Sequence, residues 1–238
     1  MAKFNKRHIE YLNDPVFLQR YLLLLNSRLV YSNNRIEFNN KEIDRLYDNA
    51  HVLSLEDNFK AFNILLTKLN KDEDKRLTQE LIKKVANTIN AHAMYISNDY
   101  RKLGDDVSFE EKYPIEKAKN ISKKMELLLT KYYNEWEKLE LFEKEALFNI
   151  EFLRIHPFED GNGRTSRLIL NYNVMLNGHA PILIPVEKRE KYFTARNKKD
   201  VKWIKNLFEE ESKKELKSLD ILINNYELEK NYSKQKRK

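Results

Sequence analysis

Apolar residues recur at helical spacing along most of the chain. The first clear example is a run of four leucines, Leu18, Leu22, Leu25 and Leu29. They stand three or four residues apart, which is the spacing of one buried helix face. The pair Asp14-Pro15 just before them is a typical helix start, an N-cap followed by proline at the first helical position. This pattern predicts a helix that ends near the polar stretch 31–34.

The same spacing predicts helices through most of the remaining chain. They cover residues 55–69, 77–94, 115–136, 139–155, 168–176, 187–198 and 200–226. Residues 97–114 lack the pattern and contain turn signals, so residues 107–113 are predicted as a short strand or hairpin. Pro181 and Pro185 bracket a short extended link. The chain is therefore expected to be mostly helical.

Composition supports this expectation. The chain has 238 residues, of which 41% are hydrophobic, enough to build the core of one domain. It has four glycines, Gly104, Gly161, Gly163 and Gly178. So few residues that tolerate positive φ favour helices over a β-rich fold with many tight turns. No internal repeat or linker divides the chain, and residues 1–226 are predicted as a single domain.

Charge narrows the range of partners. The formal net charge is +7, and residues 227–238 carry five bases against two acids. We interpret these residues as a solvated, flexible tail; weak attraction to nucleic acid or an anionic surface is the alternative. Aromatic and basic residues do not interleave as they do in base-stacking sites, so nucleic acid is not expected as a partner.

Cysteine is absent, which excludes disulfides, thiolate zinc sites and a cysteine nucleophile. The first residues have no apolar core of a signal peptide. The longest aliphatic run, residues 22–25, is far too short to cross a bilayer. A cytoplasmic location without a membrane partner is expected.

One segment concentrates reactive side chains. It reads HPFEDGNGRTSR over residues 156–167 and joins two predicted helices. Because the loop leads into a helix N-terminus, free backbone N–H groups and the positive end of the helix dipole favour a phosphate there. Gly161 and Gly163 allow successive N–H groups to turn toward one anion.

The side chains of this segment suit the same chemistry. Arg164 and Arg167 share a helix face and offer forked donors to phosphate oxygens. Asp160 places a carboxylate where Mg²⁺ is usually held beside a nucleotide, and His156 can accept a proton near neutral pH. Each residue alone has a plain structural explanation. Their combination within twelve residues favours phosphate transfer.

The segment resembles the signature of the Fic (filamentation induced by cAMP) domain family, His-x-Phe-x-Asp/Glu-Gly-Asn-Gly-Arg-x-x-Arg, and matches every fixed position. The resemblance extends over roughly residues 14–208. It implies an all-α helical bundle with one small β-hairpin flap over residues 105–113. It also implies Mg²⁺-dependent transfer of AMP from ATP to a Tyr, Thr or Ser hydroxyl of a target protein, and to the chain itself, in a bacterial cytoplasm.

The resemblance implies a role for each matched residue. His156 would be the general base, Phe158 would anchor the loop in the core, and Asp160 would hold Mg²⁺. Arg164 would stabilise charge on the transferring phosphate, and Arg167 would bind the γ-phosphate. Three further residues would cradle the phosphates, namely Gly161, Asn162 and Gly163.

Two regions outside the signature complete the expected site. Asn197 resembles a family residue that contacts the nucleoside, although the spacing here is shortened. The flap would pair its edge with the backbone of the target through Val107, Ser108 and Phe109. Gly163 stands where phosphorylating relatives have lysine, which favours AMP transfer.

The region 14–48 resembles an N-terminal inhibitory segment. Glu37 is expected to pair with Arg167 and block the γ-phosphate site, although Asn33 and Phe38 depart from the usual pattern. The alternative is that Glu37 is simply an exposed residue at a helix end. Two other functions remain open, removal of AMP from a modified target and non-catalytic binding of nucleotide or nucleic acid. The sequence leaves the target protein and the formation of a homo-oligomer undecided.

Overall fold

The structure is a computed structural model that describes residues 3–37, 49–71, 74–92, 99–102 and 115–236. Its α-helices are α1 (Lys6–Leu12), α2 (Pro15–Glu37), α3 (Asn49–Lys71), α4 (Gln79–Ile89), α5 (Ile121–Thr130), α6 (Leu141–Ile155), α7 (Asn162–Leu176), α8 (Arg189–Lys198) and α9 (Val201–Gln235). Short 3₁₀ turns at Ala118–Asn120 and Val186–Lys188 precede α5 and α8, and a π-helical turn at Lys131–Glu135 follows α5.

Helix α7 lies at the centre of the bundle. It packs against α2, α3, α4 and α6. Three consecutive residues on it face three different apolar clusters. Leu168 joins the cluster of α2, α3 and α9, Ile169 the cluster of α4, α5 and α6, and Leu170 the cluster of α6, α8 and α9. Because α7 contributes buried residues to all three clusters, it is surrounded by other helices, as expected for a central helix.

The expected all-α architecture is confirmed. Within the described ranges the pairing of Lys3 with His179 is an isolated β-bridge, and no strand is formed. The predicted hairpin flap, residues 105–113 with Val107, Ser108 and Phe109, lies outside the described residues. Among the helices that the structure describes, none combines the length and the hydrophobicity that a membrane span requires.

Helix α2 does not end at residues 31–34, where the polar pattern predicted its end, but continues to Glu37. The polar side chains of this last stretch find partners inside the fold. Ser32 Oγ donates to the carbonyl of Ile184 at 2.6 Å, and Asn33 is buried. Ile36 is completely buried among α6, α7 and α8 side chains. Tertiary contacts therefore override the weak helix propensity of this stretch.

The last helix also runs further than its pattern predicted, to Gln235 rather than Tyr226. Charged residues of the supposed tail pair with the N-terminal helices. Glu227 lies 3.0 Å from Arg7, Glu229 lies 2.6 Å from Arg20, and Lys230 lies 2.8 Å from Asp14. The prediction missed these partners because they lie more than two hundred positions earlier in the chain.

Candidate active site

The segment 156–167 forms the connection between α6 and α7. His156 caps the C-terminus of α6 with φ 51° and ψ 61°, and its N–H donates to the carbonyl of Phe152 at 3.0 Å. This left-handed conformation is uncommon for residues other than glycine and is often retained at functional sites. The His156 side chain is buried. The predicted base thus sits at a fixed, conformationally costly position.

Arg101 holds this connection from outside the signature. Its Nε donates to the carbonyl of His156 at 2.7 Å, and its N–H donates to the carbonyl of Pro157 at 2.9 Å. Its guanidinium also donates to the carbonyl of Glu116. One buried arginine therefore joins both borders of the undescribed range 103–114 to the loop. A single arginine in a non-helical stretch gave no sequence signal of this role.

The predicted anchoring role of Phe158 fits its position. The ring is buried, with its centroid 5.5 Å from that of Tyr100 and 6.5 Å from that of Phe152. The side chain of Asn162 closes the loop through two hydrogen bonds to the backbone of Phe158. The Asn162 Oδ1 accepts from the Phe158 N–H at 2.9 Å, and its Nδ2 donates to the Phe158 carbonyl at 2.7 Å. Both polar atoms of the Asn162 side chain thus hold the loop in shape. The backbone N–H of Asn162 remains to bind an anion.

The two glycines of the loop differ. Gly161 adopts φ 76° at the N-cap of α7, and a Cβ there would lie 2.8 Å from Asn90 Nδ2. Gly163 lies in the first turn of α7, in helical conformation. The N-terminal N–H groups of a helix have no intrahelical acceptor, so this first turn is the part of the loop suited to phosphate.

Asp160 and Arg164 form an ion pair at the start of α7. The Arg164 guanidinium donates to Asp160 Oδ2 at 2.9 Å, to Asn90 Oδ1 at 3.2 Å and to Ser54 Oγ at 3.0 Å. Arg164 is buried, whereas the Asp160 side chain is 64% exposed. The arginine is held by partners from α3, from the end of α4 and from the loop itself, and the Asp160 carboxylate faces solvent with oxygen lone pairs that can accept further bonds.

The side chains at the start of α7 fit Mg²⁺ only if bound phosphates supply part of the coordination. Among the described residues no three His, Asp or Glu side chains come together as a metal cluster. Mg²⁺ is commonly bound by one or two carboxylates together with substrate phosphates. The exposed Asp160 carboxylate, beside a helix N-terminus that suits phosphate, matches that arrangement.

Arg167 contacts the end of α2. Its Nε donates to Asn33 Oδ1 at 2.5 Å, and a terminal nitrogen donates to the Asn33 carbonyl at 3.0 Å. The Asn33 amide in turn donates to Asn58 Oδ1 at 3.1 Å. Glu37 is the last residue of α2. Its side chain lies outside the description, so its pairing with Arg167 stays a prediction.

Several site residues were missed by sequence reasoning. Ser54 and Asn58 come from one face of α3, and Asn90 caps the C-terminus of α4 and donates to the Asp160 carbonyl at 2.9 Å. Single polar residues on helices carry no signal that distinguishes them from solvated ones. Asn197, the expected nucleoside contact, is exposed near the end of α8. In the described part of the chain no hydrogen bond joins it to the loop, and its role stays a prediction.

The loop lies in a part of the chain that is similar to known proteins. A model of the Fic/DOC family matches residues 68–174, which include the whole loop. The chain is 43% identical over 53 residues to the protein adenylyltransferase fic-1 of Caenorhabditis briggsae, and 50% identical over 48 residues to the protein adenylyltransferase Fic of Drosophila virilis. These matches cover 22% and 20% of this chain, and each spans 10% of the relative's length.

Solved structures agree on the fold. A Fic domain containing signaling protein from Bacteroides thetaiotaomicron superposes with a TM-score of 0.76 at 18% identity, over 92% of this chain and 96% of that one. Fic-1 from C. elegans superposes with a TM-score of 0.68 at 19% identity, over 87% of this chain and 65% of that one. At such identities the likeness establishes the fold alone. The chain thus shares the fold of solved Fic-domain proteins, and its residues 68–174 match the Fic/DOC family model.

Proposed function

We propose that the chain transfers AMP from ATP to a hydroxyl side chain of a target protein. The observation that carries the proposal is the arrangement of one loop. His156 is fixed at the end of α6, and a few residues later the N-terminus of α7 brings free N–H groups and the buried Arg164 together. A base beside an anion site is what phosphoryl-group transfer to a hydroxyl requires. The relatives named protein adenylyltransferase support the same reaction.

The chemistry follows from these positions. The imidazole of His156 takes the proton of the target hydroxyl while the hydroxyl oxygen bonds to the α-phosphorus of ATP. The bond from that phosphorus to the oxygen bridging to the β-phosphate breaks, and pyrophosphate leaves. Negative charge on the transferring group is stabilised by Arg164 and by the first N–H groups of α7. Most of the acceleration would come from positioning, because both helix ends are held by the packed bundle.

Mg²⁺ fits this proposal through Asp160. When bound, the cation would neutralise charge on the phosphates. The protein's part is to present the exposed Asp160 carboxylate beside the helix N-terminus, where its Oδ1 accepts the Gly161 N–H at 2.6 Å. That hydrogen bond fixes the carboxylate orientation.

We further propose that the end of α2 restrains the reaction. Asn33 already accepts two hydrogen bonds from Arg167, the arginine assigned to the γ-phosphate. A nucleotide that uses Arg167 must displace those contacts. Glu37, one turn further along α2, is the proposed inhibitory carboxylate. If Glu37→Gly leaves self-modification unchanged in the presence of ATP and Mg²⁺, this restraint is refuted.

The central test uses ATP labelled at the α-phosphate. The wild-type protein, alone and with cell lysate, is expected to transfer label to protein in the presence of Mg²⁺, and His156→Ala is expected to transfer none. His179→Asn, at the far end of α7, is the matched histidine control and should retain transfer. ATP labelled at the γ-phosphate should label nothing. Binding of nucleotide without label on any protein would overturn the proposal.

A further inference from the structure

A cavity of about 360 Å³ opens beside the C-terminal end of α6. Its walls come from α5, the π-helical turn, the second half of α6, the segment before the first 3₁₀ turn and the C-cap of α8. Four of the side chains that line it are cations, Lys124, Lys131, Arg154 and Lys199. The lining therefore has four basic side chains against two acidic ones, Glu116 and Glu151.

The acids of the cavity neutralise only part of this charge. Glu116 lies 3.6 Å from Lys124, and Glu151 lies 3.8 Å from Lys199. Both are long contacts between partly exposed side chains and stabilise little. Within the described ranges, Lys131 and Arg154 form no ion pair. Two cations thus remain available to an anionic occupant.

The remaining walls are apolar. Leu127 lines the cavity although its side chain is 45% exposed, and Leu128 and Ile155 lie beside it. A dense polyanion such as nucleic acid gains nothing from these leucines and is repelled by the two acids. A protein segment that alternates carboxylates with aliphatic side chains satisfies both the cations and the apolar wall. The lining thus favours an acidic peptide over other anions.

The cavity borders the residues that precede the reacting loop. Arg154 and Ile155 immediately precede His156, and the Glu116 N–H donates to the Arg154 carbonyl at 3.2 Å. Arg101 links the same Glu116 to His156 by hydrogen bonds to both carbonyls. A segment held in the cavity would therefore contact the two residues that immediately precede the base.

We propose that this cavity binds an acidic segment of the target protein and so brings its acceptor hydroxyl to His156. This rests on the proposed AMP transfer and adds the partner chemistry that the site selects. Complementary charge would speed encounter with acidic targets and disfavour basic ones. The carboxylates of the bound segment pair with Lys131 and Arg154, and its aliphatic side chains contact Leu127.

Lys199 provides a test that does not threaten the fold. It caps α8 in the left-handed region, at φ 54°. Glycine is the preferred residue at such a position, so Lys199→Gly removes a cavity cation while favouring the backbone conformation. Weaker binding by this variant cannot be attributed to damaged folding.

The experiment measures fluorescence anisotropy of a fluorescein-labelled peptide of alternating glutamate and leucine residues, without ATP. Lys131→Glu with Arg154→Glu is expected to weaken binding roughly ten-fold or more, and Lys199→Gly by roughly three-fold. Lys213→Glu with Lys217→Glu on α9 makes the same change in net charge away from the cavity and should bind as the wild type does. His156→Ala should also bind normally.

Three outcomes would overturn the proposal. These are no binding by the wild type, equal weakening in the cavity and α9 variants, and displacement of the peptide from the cavity by an oligothymidylate that binds more tightly. Because the assay contains no ATP, failure of AMP transfer would appear only in the labelling experiment. The two proposals therefore fail separately.

Discussion

Asn33 accepts two hydrogen bonds from Arg167, one on its side-chain oxygen and one on its backbone carbonyl. The asparagine belongs to α2 and the arginine to the central helix, 134 positions later. This contact uses two of the three nitrogens of the guanidinium to which we assign the γ-phosphate. Under the proposed function, the end of α2 would compete with that phosphate for Arg167, whatever the side chain of Glu37 contributes.

Replacing Asn33 should therefore raise the rate of AMP transfer at sub-saturating ATP. Asn33→Ala removes the side-chain acceptor from Arg167 and leaves a buried polar partner unsatisfied, at a cost of about 1–3 kcal/mol of stability. Asn26→Ala is the matched control, since Asn26 is also a buried asparagine of α2. Initial rates of label incorporation and urea unfolding report the two effects. An unchanged or lower rate in Asn33→Ala, at ATP well below saturation, contradicts the competition.

The glycine at the start of α7 should tolerate no side chain. Gly161→Ala meets Asn90 Oδ1 at 2.9 Å and must also hold φ 76°, so we expect a loss of about 2–3 kcal/mol and of most AMP transfer. Gly178→Ala is a natural control, because it has φ 72° but no atom within 4 Å of the new Cβ. It should lose only about 1 kcal/mol. Equal losses in urea unfolding would show that contact with Asn90 is unimportant.

Asp160 should matter to the reaction and little to the fold. Its carboxylate is mostly exposed, so Asp160→Ala should cost at most about 1 kcal/mol through the lost pair with Arg164. AMP transfer should fall by roughly a hundred-fold, as expected when a group that orients charge in the transition state is removed. Glu159→Ala, one residue earlier, should remain active. Labelling rates at several Mg²⁺ concentrations test this, and similar activity in both variants would refute it.

A buried carboxyl away from the loop predicts a pH dependence of stability. Burial raises the pKa of Glu145 to about 7, while Tyr132 Oη at 2.5 Å and Asn173 Nδ2 at 3.0 Å donate to it. Because the folded protein binds this proton more tightly than the unfolded chain does, stability should fall as pH rises from about 4.5 to about 7.

The size of that fall is on the order of 3 kcal/mol, and Glu145→Gln should abolish it because glutamine does not titrate. Glu143→Gln, on the same helix but only half-buried, is the control and should keep the wild-type slope. Thermal unfolding between pH 5 and pH 7.5 measures the effect. If the stability of Glu145→Gln still falls as pH rises, groups other than Glu145 cause the fall.

The sequence predicted most helices because the spacing of apolar residues is a local pattern. It identified the loop because His156, Asp160, Arg164 and Arg167 all lie within one stretch of twelve residues. It missed the end of α2, where buried partners sustain a helix that the polar residues alone would end. It also missed Ser54, Asn58 and Asn90, because two separate helices, α3 and α4, bring them to the loop. Contacts of this kind arise from packing, and no pattern within one segment encodes them.

The placement of α7 among all three apolar clusters has a consequence for the lifetime of the site. The middle of α7 cannot loosen while the rest of the bundle stays intact, since Leu168, Ile169 and Leu170 each belong to a different neighbouring cluster. Amide hydrogens in the middle of α7 should therefore exchange only through global opening of the molecule, and heat should inactivate the protein at its unfolding temperature and not below it.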